Sequence, residues 1–187
     1  MVRVAIAGGT GNVAREVIDR IVAKKSHEVV VLSRQAPTNT GDDTIKWLQV
    51  DYESKASLVQ AFKGVDTVFS FLAIPDPASM VRLQKNIINA AIEAGVRRFA
   101  PSEWGSTTRA RMEIYGYKDE NRQYLADINK HNKRLEYCLF QPGYFTNYFG
   151  NPYSTTTHFA MSATYVDFEN RKVILVDDAG FTYVQSR

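Results

Sequence analysis

The sequence predicts an α/β chain built on a doubly wound parallel sheet. Two observations predict it: a β-prone run breaks into a glycine-rich turn and continues as an amphipathic helix, and strand-like and helical runs then alternate along the chain. Strands spaced by helices of this length form right-handed βαβ units, which bury a parallel sheet.

The first strand is VRVAIA, residues 2–7. The turn Gly8-Gly9-Thr10-Gly11 separates it from Val13, Val17, Ile18, Ile21 and Val22, which recur at helical spacing. Four further strands are expected at EVVVLS (28–33), KWLQV (46–50), DTVFSFLA (66–73) and RRFAPS (97–102). Ser54 suits the N-cap of a helix carrying Leu58, Ala61 and Phe62, with Gly64 closing it. In the next helix Leu83, Ile87, Ala91 and Ala94 line one face before Gly95. A further helix is expected from about residue 119 to 134, with Asp119 and Glu120 at its start and Lys130, Lys133 and Arg134 at its end, as the helix dipole favours. EYCLFQPG (136–143) reads as a sixth strand, with Cys138 packed in it. Beyond Gly150 the texture changes to strand-like runs, an Asp-Asp-Ala-Gly turn and no helix. The expected division is residues 1–149 as the sheet domain and 150–187 as the start of a second portion.

With 187 residues, 44% of them hydrophobic, the chain can bury one substantial core. A formal charge of +3, with no Lys/Arg block, argues against direct contact with nucleic acid. A lone cysteine excludes an internal disulfide and a multi-cysteine metal site, and fits a reducing compartment. No segment approaches 18 apolar residues and no signal core precedes the first strand. The expectation is a cytoplasmic protein with no membrane partner.

A glycine turn between first strand and first helix is either a tight corner or a phosphate cradle. The position favours the cradle, because a pyrophosphate needs bare backbone and the unpaired N–H groups of a helix start. Gly8 and Gly11 supply the bare backbone, Thr10 and Asn12 add a hydroxyl and an amide, and Val13 opens the helix. Ala14 is small enough for helix and strand to pack closely. The second strand ends in Ser33-Arg34, where an NAD site usually places a carboxylate for the ribose hydroxyls. A guanidinium there can instead hold a 2′-phosphate, so the expected cofactor is NADP(H). Leu72 and Ala73, at the carboxyl end of the fourth strand, complete the expected cofactor set. Asp51 could meet an adenine edge or simply cap a helix.

The runs AGGTGNVA, VVVLSR, DTVFSFLA and RRFAPSEWG resemble the NmrA-like and isoflavone-reductase-like branch of atypical short-chain dehydrogenases. RRFAPSEWG is close to that branch's K-R-F-x-P-S-E-F-G signature, with Arg97 for Lys and Trp104 for Phe. Lys118 and Arg122 reproduce its lysine followed four residues on by arginine, and GYFTNYF (143–149) resembles its N-x-F-x-x-Y-F element, with Gly143 in place of asparagine. The resemblance implies a Rossmann-like NAD(P)-binding fold and an NADPH-dependent reductase of small aromatic or phenolic molecules. The alternative is a relative that binds NADP as a redox sensor and signals through a protein partner, or an inactive remnant. It makes Lys118 the catalytic base and places Phe145 near the nicotinamide. A base role needs a lysine held below its ordinary pKa, whereas Asp119 and Glu120 adjoin Lys118 and oppose that shift if they point the same way.

The Tyr-x-x-x-Lys pair of ordinary short-chain dehydrogenases is not formed, since position 114 is Ile and Tyr115 and Tyr117 miss the spacing. His27, His131 and His158 form no metal pattern. Tyr144, Phe145, Tyr148 and Phe149 could wall an aromatic pocket or serve as core, and Trp104 carries the same ambiguity. Family members run well beyond this length, so the substrate-binding portion is expected to be incomplete, with the apolar run 173–176 wanting cover.

Overall fold

A computed structural model describes residues 1–35, 45–105, 115–153, 155–159, 166–177 and 180–185. Six parallel strands, β1 (Val2–Ala7), β2 (His27–Ser33), β3 (Ile45–Gln49), β4 (Thr67–Ser70), β5 (Arg98–Ala100) and β6 (Glu136–Tyr137), form one sheet in the order β3-β2-β1-β4-β5-β6. That order reverses direction between β1 and β4, which is where such sheets open a ligand crevice at their carboxyl ends. The predicted α/β class, a doubly wound Rossmann-like sheet, is the one observed.

Each face of the sheet buries its own apolar set. Helix α1 (Asn12–Ala23) lays Ala14 and Ile18 against Val4, Ile6, Val29 and Val31. Helices α2 (Lys55–Ala61), α3 (Pro77–Glu93) and α4 (Gly116–Asn129) belong to the opposite face, where Leu58, Phe62, Ile87, Ile88 and Leu125 join Ala5, Val30 and Leu32. Alternation along β1 and β2 sends neighbouring residues to opposite cores, as a strand covered on both sides requires. Ser54 caps α2 as expected, its hydroxyl accepting from the Ser57 N–H at 3.3 Å. Asp76 does the same for α3 through Ser79, and Pro77 occupies the first helical turn.

Three expectations need correction. Helix α4 runs from Gly116 to Asn129, so Lys118 and Asp119 lie in its opening turn, Glu120 follows that turn, and Lys130, Lys133 and Arg134 lie beyond its last residue. The helix ends there because Asn129 gathers the returning chain: its Oδ1 accepts from the Arg134 and Leu135 N–H groups at 2.9 and 3.0 Å. The sixth strand is two residues long, since its only ladder partner, β5, stops at Ala100 and is followed by Pro101, which has no N–H to donate. Cys138, just past this short edge strand, is exposed and not packed in a sheet.

The chain divides into two compact units, Met1–Gly143 and Tyr144–Arg187. The second contains a short 3-10 helix (Thr146–Gly150) and a three-stranded antiparallel sheet of β7 (Val166–Asp167), β8 (Lys172–Asp177) and β9 (Gly180–Gln185). The run 173–176 lies within β8. The Asp-Asp-Ala-Gly turn expected between β8 and β9 falls partly outside the described residues.

Candidate functional site

Gly8 follows β1 with φ +74°, a backbone state that glycine enters without penalty. A Cβ there would also meet the Phe71 carbonyl carbon and oxygen at 3.0 Å, where the chain leaves β4. Gly9 serves packing: a Cβ on it would come within 2.2 Å of the Val31 side chain on β2. Gly11 is the N-cap of α1, and no side chain caps that end. A Cβ on Gly11 would meet only the Gly8 carbonyl oxygen, at 3.3 Å, so the space over the helix start is open. The first N–H groups of α1 are therefore left to whatever binds there, with no acidic residue in the first turn to repel an anion.

Around this turn lies a cleft of about 580 Å³ at the carboxyl ends of β1, β2 and β4. It brings together seven of the ten residues expected to hold the cofactor: Gly8, Thr10, Gly11, Ser33, Arg34, Leu72 and Ala73. Asn12 is exposed at the first position of α1, and Val13 packs against the core on the α1 face. Phe145 belongs to the second unit, where its ring meets Phe159 edge-on, the centroids 6.2 Å apart. Asp51 holds a local turn, its carboxylate accepting from the Glu53 N–H at 2.9 Å.

Tyr52, which sequence reasoning did not single out, ties the cleft together. Its buried hydroxyl accepts from the Gly8 N–H at 2.9 Å and donates to the Leu32 carbonyl at 3.0 Å. One phenol thus fixes the end of β1 against the end of β2. Burial pushes its pKa up to about 12, so it stays a hydrogen-bond donor across ordinary pH.

A second cluster surrounds Lys118. The side chain is 2% exposed and its Nζ sits 4.1 Å from the centre of the Tyr115 ring, a cation–π contact in place of an ion pair. Glu103, 1% exposed, accepts on Oε2 from Arg122 Nη2 at 2.5 Å and Nε at 3.0 Å, and from Gln141 Nε2 at 3.0 Å. Arg122 Nη1 also reaches Asp119 at 2.7 Å. Burial holds the Lys118 pKa below the ordinary lysine value, Glu103 opposing the shift and Arg122 assisting it. A plain solvated lysine is thereby excluded for this position.

The two clusters meet through Trp104. Its ring stacks on Phe71, which lines the cleft, at 4.3 Å, and on Phe140 at 5.4 Å, while its Nε1 donates to the Ser70 carbonyl at 2.8 Å. Gly105, next in the chain, lies beside the lysine: a Cβ there would be 3.1 Å from the Tyr115 hydroxyl and 3.5 Å from Lys118 Nζ. Glu103 was missed as a functional residue, although its place inside the PSEWG stretch was a signal. Tyr144 stacks on Tyr148 within the second unit, which also holds His158, whereas His27 begins β2 and His131 follows α4. Among the described residues no group of three metal-ligating side chains forms, and no helix is long and apolar enough to cross a membrane.

Residues 2–169 match the model of the NmrA-like family. Oxidoreductase BOA1 of Botryotinia fuckeliana (strain B05.10) is 32% identical over 178 residues, which cover 91% of this chain and 57% of that protein. Isoflavone reductase homolog IRL of Zea mays is 33% identical over 114 residues, 55% of this chain and 35% of its own length. Among solved structures, AtPrR2 with NADP+ and (+)pinoresinol matches with a TM-score of 0.62 at 28% identity, covering 94% of this chain and 62% of that one. The NADPH-dependent quinone oxidoreductase QOR2 of Escherichia coli, complexed with NADPH, matches with a TM-score of 0.61 at 25% identity, over 79% of this chain and 51% of that one. The chain spans less than two thirds of the length of each of these proteins.

Proposed function

The chain belongs to the NmrA-like family, and from that premise we propose that it is an NADP(H)-dependent oxidoreductase acting by hydride transfer on a small aromatic or phenolic substrate. The observation that carries the reading is the cleft in which the bare glycine turn and the helix start share a wall with Arg34. The N–H groups of α1 and the Thr10 hydroxyl would hold a pyrophosphate, and Ser33 and Arg34 a 2′-phosphate. Asn12 adds an amide beside that helix start. Phe71, Leu72 and Ala73 line the apolar side of the cleft, with Trp104 stacked on Phe71. Bound NADPH supplies the hydride. Lys118 Nζ would take the proton of a substrate phenol as a carbon–oxygen bond conjugated to that ring breaks, the hydride would add at that carbon, and the lysine's proton with one from water would restore the phenol and the released hydroxyl; burial favours the neutral amine that the first transfer needs. Phenolic ligands suit the reading because a relative's structure holds (+)pinoresinol beside NADP+.

The test is NADPH oxidation with phenolic acceptors. Lys118→Ala should lower the rate by about 10²–10⁴ while leaving NADPH affinity nearly unchanged. The wild-type rate should fall as pH drops through the depressed lysine pKa, since protonation removes the base. A variant that turns over like wild type refutes the role of Lys118. NADPH binding with no oxidation by any phenol would favour the sensor reading, for which the replacement of the family's asparagine by Gly143 speaks.

A further inference from the structure

Lys118 is a buried amine with two carboxylates near it in the chain or in space, yet neither is its partner. Glu103 is taken by Arg122 and Gln141, and Asp119, the next residue in the helix, is turned to Arg122. The groups that act on the amine are Tyr115 and Arg122 on its own helical segment and Glu103 on the loop after β5; Asp119 touches Arg122, and Gln141, from the loop after β6, is uncharged. A planar guanidinium can serve two carboxylates at once through different N–H groups, and here Nη2 and Nε face one while Nη1 faces the other. The spacing of four residues places Arg122 one turn along the same helix face as Lys118.

We propose that Arg122 is a positioning residue for Lys118: by binding both Glu103 and Asp119 it withholds from the amine the two carboxylates that would otherwise keep a proton on it. The proposal rests on the reading of Lys118 as the proton-handling group. It gives the arginine a purpose apart from contact with cofactor or substrate. Of the two acids that follow Lys118 in the chain, Asp119 is drawn to Arg122 and Glu120 lies 3.9 Å from Lys85.

The test reads protonation directly, without turnover. The protein is labelled with carbon-13 at lysine Cε, the Lys118 signal is assigned by its loss in Lys118→Arg, and its shift is followed against pH. In wild type the midpoint should lie below those of the exposed lysines. In Arg122→Gln it should climb toward them, and in Arg122→Lys, which keeps the charge but loses the fork, it should fall between. An Arg122→Gln midpoint equal to wild type overturns the proposal, as does an Arg122→Lys chain indistinguishable from wild type, which would make the effect one of net charge alone. Should Arg122→Gln not fold, the pair Glu103→Gln/Asp119→Asn decides: removing both carboxylates should leave the midpoint at or below wild type, and a rise refutes the idea. A moved midpoint in a wild type without turnover would sink the catalytic reading and keep this one. An unmoved midpoint with Lys118-dependent turnover would do the reverse.

Discussion

The glycine turn and the Lys118 cluster treat polar groups in opposite ways. At the turn, backbone N–H groups stand open at the start of α1 with neither side-chain cap nor acid near them. Around Lys118, four charged side chains share a small volume, and two of them, Glu103 and Lys118, are almost wholly buried. The first arrangement costs little in the free protein because water can satisfy it, and it leaves the helix start able to receive an anion. The second is expensive at all times, since buried charges lose hydration that pairing only partly returns. A site that binds can be left open, whereas a site that sets a proton affinity must be enclosed.

Substitutions break this contrast in a graded way. Arg122→Ala strips the buried Glu103 of its guanidinium and should cost about 3 kcal/mol in denaturant unfolding. Lys118 should partly take over as counter-ion, which limits the loss. Gly8→Ala forces a side chain into φ +74° against the Phe71 carbonyl. It should cost about 1–3 kcal/mol and weaken NADPH binding besides. Smallest and opposite in sign is Lys118→Met, which should raise stability at neutral pH by about 1 kcal/mol. The sign follows from linkage. A lysine with a lowered folded-state pKa binds its proton more readily when unfolded, so the wild type gains stability as pH rises from the folded pKa to the unfolded one, and below that window carries the full penalty. Melting curves across pH should therefore show that alkaline gain in wild type and lose it in Lys118→Met.

The sheet, the glycine turn and the place of Arg34 in the cleft were legible because each is written locally: alternating runs, a glycine needed for positive φ, and an arginine just past a strand end. The limits of α4 were not, because Asn129 ends the helix through bonds to residues that follow it. Acids at 119 and 120 and bases at 130 to 134 therefore suggested a helix shifted along the chain. Tyr52 was invisible, since its worth lies in bridging Gly8 and Leu32, which stand 44 and 20 residues away. Glu103 and Arg122 were both on the page as letters of motifs, but their pairing across 19 residues is a product of the fold. Lys118 was readable as a candidate only through resemblance. That it is buried on Tyr115 and has no carboxylate of its own comes from packing.

The central claim is that the cleft beside β1 and β2 is built for a dinucleotide carrying a 2′-phosphate, with Arg34 as its reader. The most direct measurement is a fluorescence titration of wild type and Arg34→Ala with NADPH and with NADH. Wild type should bind NADPH at least tenfold tighter than NADH, about 1.4 kcal/mol, and Arg34→Ala should lose that preference while binding NADH as before. Equal affinity of the wild type for the two nucleotides, or a preference that survives in Arg34→Ala, would contradict the account.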